Sequence, residues 1–302
     1  MRVQGAFNLL FRSGLRKDFR DSYNKYEPEY PGYLNSGTMD GPEVEASIIT
    51  GLKRLLERGD GEPVIYEDPK LGPKVVGVDK EFALGFMITR RTVEDDKYSK
   101  ANQASKWLAD ATRMTYEYRS ASLLDDAFTG TTFTGIDGLR LCHTAHTLLN
   151  SSVTVANQPA SPVGFSVTGI NALLNLSQLL KNENGDPIKA VPDTLIYNPL
   201  QIDIAMKILG GTLEPFTADN DMNTIKERLG GGVKQVIKRH TIDTNDYFLI
   251  DSNLNDAWFM MRRPVEFDDE FDFDTDAAKY KATTRFLVWF VDWKGWWGAN
   301  PT

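Results

Sequence analysis

The sequence is poor in the residues that build metal centres and disulfides, and it has no long apolar run. A single cysteine, Cys142, excludes an intramolecular disulfide, a cysteine-rich zinc site and an iron–sulfur centre within one chain. The longest strongly apolar run, Phe286 to Val291, spans six residues, whereas a membrane-spanning helix needs about 20. The amino terminus also lacks the apolar stretch and the cleavage site of a secretory signal. We therefore expect no membrane association and no secretion through a cleaved signal.

Positive charge is also scarce. The 302-residue chain carries a net charge of −8, which opposes tight, sequence-independent binding to DNA because such binding relies on Lys and Arg. If the protein meets DNA, we expect it to contain the DNA rather than to grip it. The alternative is that mild acidity only keeps a cytosolic protein soluble. Apolar residues make up 41% and charged residues 25%, which is typical of a folded chain with one elaborate domain or two ordinary ones.

The motifs of common enzymes are missing as well. There is no Gly-x-Ser-x-Gly elbow, and only three histidines, His143, His146 and His240, are available as catalytic bases. The glycines at 230–232 are not followed by the Lys-Ser/Thr of a phosphate loop and do not fit a dinucleotide fingerprint, so they predict a turn. We therefore predict a protein that is not an enzyme and has no catalytic residues and no cofactor.

Two short stretches invite a metal interpretation. Cys142, His143 and His146 could supply ligands to zinc, but a fourth ligand and a helical setting are missing, so a structural or surface role is the alternative. The alternating Asp272, Asp274 and Asp276 resemble the start of a calcium loop, but Ala277 stands where such a loop needs Gly, and no Glu follows at the twelfth position. We predict no metal site at either stretch.

The first third of the chain predicts an arm followed by a hairpin. Residues 1–20 contain five basic residues and one acidic residue and form a basic arm, and residues 23–42, rich in Tyr, Pro and Gly, favour an extended segment. A short helix is expected at 48–58. Strand-like stretches and turn residues follow, which predicts a β-hairpin with little apolar surface of its own. The strand-like stretches lie at residues 64–66, 75–78 and 82–89. The hairpin must therefore pack on a neighbour.

The longest helix is predicted from about Glu94 to Phe128, on the order of 45 Å. Its small residues recur every three or four positions, which permits close approach of another element or simply marks an ordinary amphipathic helix. Residues 129–165 predict a long loop or an irregular hairpin. The remaining helices are expected at 167–181 and from Asn198–Pro199 through Leu209, and the remaining strands at 194–197, 233–240, 247–250, 257–261 and 285–293.

Two compositional clusters stand near the carboxyl terminus. Seven acids without a base occur in residues 266–276, which predicts either a solvated charged segment or a surface that meets the basic arm of a neighbouring subunit. The tryptophans at 289, 293, 296 and 297 serve either as interface anchors or as the edge of a buried core.

Several of these features occur together in one known family. Gly59-Asp-Gly-Glu-Pro63 before a hairpin, and Phe82 to Arg90 leading through Glu94-Asp-Asp96 into a long helix, resemble the extended loop and spine helix of tailed-phage major capsid proteins. Asp137-Gly138, with His146 and Asn157-Gln158 downstream, and Pro192 to Asn198-Pro199 before a helix, resemble the next part of that family. The resemblance spans residues 45–300. It is to the HK97-type shell fold, and most closely to the Mu-like capsid proteins.

The resemblance implies a mixed α+β capsid fold with an N-terminal arm and an extended β-hairpin loop that reaches over the adjacent subunit. The spine helix would lie in a peripheral domain, and an axial domain would sit near the centre of each capsomer. The divisions are residues 1–58 for the arm and short helix, 59–92 for the hairpin, 93–187 for the peripheral domain, 188–262 for the axial domain and 263–302 for the return to the peripheral domain. No large N-terminal scaffolding segment is visible, so a separate scaffold protein and prior proteolysis both stay open.

The function that this implies is self-assembly into hexamers and pentamers of an icosahedral shell around packaged double-stranded DNA, without sequence-specific binding. The expected partners are further copies of the chain together with portal, scaffold and decoration proteins, first in the host cytoplasm and then in the virion. Some relatives cross-link a Lys of the extended loop to an Asn of a neighbour, but Lys70, Lys74 and Lys80 do not select a pair, and we assign none.

The candidate subunit contacts join the arm to the acidic tract, and they are Arg12, Arg16, Lys17, Arg20, Asp268, Asp269, Glu270 and Asp272. Two other functions remain open at this point. One is an encapsulin-like shell of a cellular nanocompartment, which would enclose enzyme cargo. The other is a metal-dependent hydrolase that uses His143 and His146.

Overall fold

The computed structural model describes residues 3–89, 91–92, 95, 100–211, 223–229, 232–272, 274–275 and 277–301, and the side chains of residues 3–13, 226 and 227 lie outside that description. Its helices are α1 Val3–Lys25, α2 Lys100–Asp125, α3 Val167–Gln178, α4 Ile202–Gly210 and α5 Ile225–Arg228. Its strands are β1 Asn35–Thr38, β2 Glu43–Ile49, β3 Leu71–Val78, β4 Lys80–Thr89, β5 His146–Leu148, β6 Ser151–Val155, β7 Thr194–Tyr197, β8 Lys234–Ile237, β9 Tyr247–Ile250, β10 Ala257–Asp272, β11 Ala277–Phe290 and β12 Trp296–Ala299.

The strands form two sheets and two ribbons. The first sheet has the order β1-β10-β11-β4, and the second has the order β12-β9-β7-β8. The ribbons are the antiparallel pairs β2–β3 and β5–β6. This architecture confirms the predicted α+β class. None of the described helices is long and apolar enough to cross a membrane.

Two helices cover one face of the first sheet. Leu15 and Phe19 of α1 are 0% and 5% exposed, and they fill the space between α2 and the sheet, against Leu108 of α2 and Tyr280 and Ala282 of β11. The small residues of α2 allow this close approach, and the Ser105 hydroxyl donates a hydrogen bond to the Leu15 carbonyl (2.8 Å). The small-residue stripe therefore packs against a helix of the same chain. The prediction of an extended segment from residue 23 was wrong at its start, because this packing carries α1 through Lys25.

The main core lies between the second sheet and helices α2 and α3. β7 and β9 are buried along their whole length, as the predicted strands at 194–197 and 247–250 required. Trp293, Trp296 and Trp297 are at most 1% exposed and Trp289 is 6% exposed, so these side chains form a core within one chain rather than anchors of an interface. Four-residue strands can hold a stable sheet here because large aromatic side chains bury much apolar area.

The segment before β4 differs most from the prediction. Instead of a helix at 48–58, strand β2 ends at Ile49 and residues 51–59 have no regular structure, and residues 64–66 are not a strand. β3 pairs with β2, whereas β4 pairs with β11, so the two-stranded ribbon is built from residues 43–78 rather than from 59–92. Residues 43–49 alternate between exposed and partly buried, which is the period of a strand.

The other predicted elements are confirmed with shifted ends. α2 lies inside the predicted long helix, whose expected start at Glu94 and Asp96 falls outside the described residues, as do Gly230 and Gly231 of the predicted glycine turn. The expected irregular hairpin is β5–β6. β10 continues from the predicted strand at 257–261 through Asp272, so most of the acidic tract is strand; Asp276 lies outside the described residues.

Candidate assembly surfaces

The most exposed apolar surface of the described chain is the loop between β2 and β3. Every residue from 51 to 70 is exposed, and Leu55 is 101% and Tyr66 91% exposed. Four more large apolar side chains of this loop are 53–73% exposed, and they are Leu52, Leu56, Val64 and Ile65. Scattered exposed apolar residues are ordinary, whereas a group of this size along one loop is a candidate interaction surface. We call residues 51–70 the projecting loop.

The root of the projecting loop is closed by hydrogen bonds. The Thr50 amide donates to the Lys70 carbonyl, and the Lys70 amide donates to the Thr50 hydroxyl, each at 2.9 Å. Thr50 is only 1% exposed. The projecting loop therefore leaves the body at a defined point, although its own residues bury almost nothing.

The ribbon β2–β3 below this root packs on the first sheet. Val44, Ala46 and Val75 lie against Trp289 and Leu287 of β11. Gly77 is required at this contact, because a Cβ at that position would lie 2.6 Å from a methyl group of Leu287. The opposite ribbon face carries Glu45, which contacts Lys74 at 2.6 Å. The ribbon is thus fixed to its own chain by one apolar face, and only its loop projects.

The predicted contact residues of the arm and the acidic tract come close together, but within one chain. Arg16 Nη2 lies 3.2 Å from Asp269 Oδ1, and Asp272 pairs with Lys279 at 2.6 Å. Four other predicted contact residues are exposed, and they are Lys17, Arg20, Asp268 and Glu270. The side chain of Arg12 lies outside the described residues. Contact of these residues with a neighbouring subunit stays a prediction.

The acidic tract occupies an open strand edge. β1 pairs with β10 only as far as Met261, and among the described strands none continues that pairing along residues 262–272. An unpaired edge is a template for another strand, and charges of one sign on it discourage pairing between identical edges. The acidic charge of the tract is therefore of the kind that discourages pairing between two identical edges.

A second exposed apolar group, which the sequence analysis missed as a surface, lies on α2. Trp107, Met114 and Tyr118 are 62%, 50% and 59% exposed. Their spacings of seven and four residues place them on one line along the helix. The signal was present in the sequence, but it could not be separated from the buried stripe without knowing which face packs on the sheet.

The Cys142–His146 stretch forms a buried hydrogen-bonded cluster. His146 is 0% exposed; its Nδ1 lies 2.6 Å from Asp137 Oδ2, and its Nε2 lies 3.1 Å from Asn157 Oδ1. The imidazole stacks on the indole of Trp293 with ring centroids 4.0 Å apart. Both ring nitrogens have protein partners, so the structure favours the structural role over zinc ligation. Burial also raises the pKa of the Cys142 thiol, which disfavours the thiolate that a metal requires.

One group of side chains has the composition of a metal site. Single ligand atoms of Glu29, Glu117 and His240 lie within 4.8 Å of one another. However, the Glu117 carboxylate already accepts a hydrogen bond from the Glu29 amide (2.8 Å), and Glu29 forms an ion pair with Arg239. Burial raises the pKa of Glu117 to about 7. This hydrogen bond and this ion pair therefore connect the segment after α1 to α2 and to the loop after β8.

The family of the chain follows from its sequence. A profile described as phage capsid protein matches residues 74–299. The chain belongs to the phage capsid protein family. No protein with a curated description matches it. As a major capsid protein it is a structural subunit that associates with copies of itself and belongs in the virion capsid.

Solved structures agree with this capsid fold. The capsid of cyanophage P-SCSP1u is 12% identical, with a TM-score of 0.58, and the match covers 89% of this chain and 86% of that one. The procapsid of bacteriophage JBD30 is 13% identical, with a TM-score of 0.55 and coverage of 98% and 76%. A virus-like particle from Pyrococcus furiosus is 14% identical, with a TM-score of 0.53 and coverage of 95% and 97%. The capsid protein therefore has the HK97-type fold.

Proposed function

We propose that this capsid protein assembles into hexamers and pentamers that close into an icosahedral shell around packaged double-stranded DNA. The observation that carries the proposal is the projecting loop, whose six large apolar side chains, from Leu52 to Tyr66, are 53–101% exposed in the described chain. Burial of apolar surface contributes about 25 cal/mol per Å², so covering these side chains on a sister subunit stabilises the contact between the two subunits. A closed shell repeats this contact around each capsomer, so each individual contact can be weak.

The proposal also covers the partners of the protein and the division of the chain into domains. We include portal, scaffold and decoration proteins as partners, assembly in the host cytoplasm, and membership of the Mu-like group. The division at residues 59, 93, 188 and 263 into arm, extended loop, peripheral domain, axial domain and return segment is part of the same proposal. The excess of acid in the chain supports enclosure of DNA without tight binding, because a net charge of −8 opposes the neutralisation of phosphates on which tight binding depends.

The test compares particle assembly by the purified wild-type protein with assembly by a variant in which apolar side chains of the projecting loop are replaced. A variant with Leu55→Ser, Leu56→Ser, Ile65→Ser and Tyr66→Ser should keep the melting temperature of the wild type, because these side chains bury nothing in the subunit. Its yield of closed or tubular particles, counted by electron microscopy, should fall at least about tenfold, the effect of 1.4 kcal/mol per contact. Ile242→Ser, at an 89% exposed apolar residue outside the loop, is the matched control.

Wild-type protein that stays monomeric at every concentration and with every scaffold protein tried would contradict the proposal. The contents of the particles separate the remaining alternative. Packaged DNA agrees with a virion shell, whereas enzyme cargo without a genome would identify a cellular nanocompartment; the match to a phage capsid family favours the virion.

A further inference from the structure

A five-residue turn after α3 contacts the root of the projecting loop. The turn, residues 182–186, is held in shape by the Asn182 side chain, whose Oδ1 accepts hydrogen bonds from the amides of Asn184 (3.0 Å) and Asp186 (2.8 Å). Gly185 has a φ of +88°, and a Cβ there would lie 2.9 Å from the Ser151 hydroxyl. Only glycine adopts this conformation without strain. The turn therefore has one defined geometry.

The same turn is tied to the core by a buried charge. Lys294 Nζ contacts Glu183 Oε1 and lies 2.8 Å from Asp292 Oδ2, and the Lys294 side chain is 10% exposed. The other oxygen of Glu183 accepts a hydrogen bond from the Leu149 amide at 2.7 Å. A buried ion pair that also satisfies its remaining oxygens holds its partners in a single arrangement. Glu183 thus fixes the turn to the C-terminal segment and to the ribbon β5–β6.

The exposed side of the turn reaches the projecting loop. The Asn184 Nδ2 donates hydrogen bonds to the carbonyls of Gly51 (2.9 Å) and Leu52 (3.2 Å), and its Oδ1 accepts one from Asn150 Nδ2 (3.1 Å). Next to it, Asp186 Oδ1 lies 2.7 Å from Arg54 Nε. These contacts hold residues 51–54, the first part of a loop that otherwise touches very little of its own chain.

We propose that Asn184 is the positioning residue that sets the direction in which the projecting loop leaves the subunit, with the turn at 182–186 acting as a clamp anchored by Lys294. The inference rests on the proposed function, because the loop must point at a sister copy for its direction to matter. Holding the loop in its bound direction before assembly lowers the conformational entropy lost when subunits associate. Asn184 itself belongs to the body and need not touch the neighbouring subunit.

The experiment measures loop direction and assembly separately. Nitroxide labels on Asp60→Cys in the loop and Gln103→Cys on α2 report the loop-to-body distance by pulsed electron paramagnetic resonance; the native Cys142 is buried and does not interfere. In subunits below their assembly concentration, Asn184→Ala should broaden the distance distribution relative to an otherwise wild-type labelled chain. The initial rate of particle formation by unlabelled Asn184→Ala should fall about tenfold, as expected for the loss of the two hydrogen bonds that hold the loop.

Two further variants make the result decisive. Asn184→Asp keeps the side-chain size and Oδ1 but places an oxygen opposite two carbonyls, so it should broaden the distribution at least as much as alanine. Asn253→Ala removes an exposed asparagine whose side chain donates to Asp251 and lies outside the turn and the projecting loop, and it should behave as wild type. A distribution as narrow as wild type in both Asn184 variants, or a broad one with an unchanged assembly rate, would overturn the inference. If wild-type protein does not assemble at all, the proposed function fails while the distance measurement still tests the clamp.

Discussion

The carboxylate of Asp79, between β3 and β4, lies 2.8 Å from the Nε of Arg285 on β11. Arg262 of β10 binds the same carboxylate at 3.1 Å, and the Asp79 side chain is 1% exposed. The Asp79 amide also donates to the Pro42 carbonyl, just before β2. One acid therefore joins the base of the ribbon β2–β3 to the two long strands of the first sheet.

We predict that Asp79→Ala destabilises the subunit by about 3–5 kcal/mol, because the change leaves two arginines without their buried partner. Urea unfolding of the unassembled protein measures this free energy. Asp40→Ala, at an exposed acid next to the same ribbon, is the control and should change stability by less than about 0.5 kcal/mol. Equal stability of the two variants would show that the ribbon is held by its apolar face alone.

Glu117 predicts a specific pH dependence. Its folded pKa is raised to about 7, so the folded state binds a proton more tightly than the unfolded state. The stabilisation from this proton is complete below the unfolded pKa of about 4.5 and is lost as the pH rises through about 7. Glu117→Gln is neutral at every pH and keeps an acceptor for the Glu29 amide. Its free energy of unfolding relative to wild type should therefore increase by roughly 2–3 kcal/mol as the pH rises from 5 to 8. Thermal unfolding at several pH values checks this, and a constant difference across that range would contradict it.

Replacing His146 should lower the stability of the subunit and leave its metal content unchanged. His146→Ala removes the imidazole that contacts Asp137 Oδ2 and Asn157 Oδ1 and opens space beside Trp293, which should cost about 3–5 kcal/mol. Elemental analysis of wild type and variant should show no stoichiometric zinc in either. Zinc bound one-to-one in wild type and absent from the variant would instead support the hydrolase alternative.

The charges of the arm can be tested without removing its core residues. A triple variant, Arg16→Gln, Lys17→Gln and Arg20→Gln, keeps Leu15 and Phe19 in place and should alter subunit stability by less than about 1 kcal/mol. If the arm meets the acidic tract of a neighbour, assembly should be slower than wild type at low salt and equal to it at about 1 M salt, where the screening length is about 3 Å. Light scattering measures both rates.

The control for the arm is a triple variant at exposed lysines elsewhere, with Gln at Lys80, Lys189 and Lys234. It removes the same net charge from other surfaces. Identical salt dependence in both triple variants would show that only overall charge matters, and the arm would then have no particular role.

Helices and strands were predicted correctly from the sequence where the spacing of apolar residues matches the face that is buried in the fold. α3 and β7 are examples, because Leu173 and Leu195 lie in apolar patterns of the period that the structure then uses, and both are 0% exposed. The capsid family was likewise predicted from motif order along the chain. Local pattern failed at residues 48–58, where Ile48, Leu52, Leu55 and Leu56 have helical spacing. A helix of this length is marginal alone in water, and the Leu52, Leu55 and Leu56 side chains are 61–101% exposed, so apolar packing within the described chain does not support a helix here.

The assembly surfaces were harder to predict for a related reason. Whether Trp293 or Leu55 is the interface residue depends on which one the chain covers itself, and a single sequence does not show this. The contact of Asn184 with Gly51 and Leu52 joins positions more than 130 residues apart through backbone carbonyls, which leave no trace in side-chain pattern.

The burial of Leu15 and Phe19 beneath α2 limits how the amino terminus can be processed. Removal of the chain through Phe19 would open the space between the long helix and its sheet in every copy at once, so cleavage there should lower the unfolding temperature of each subunit.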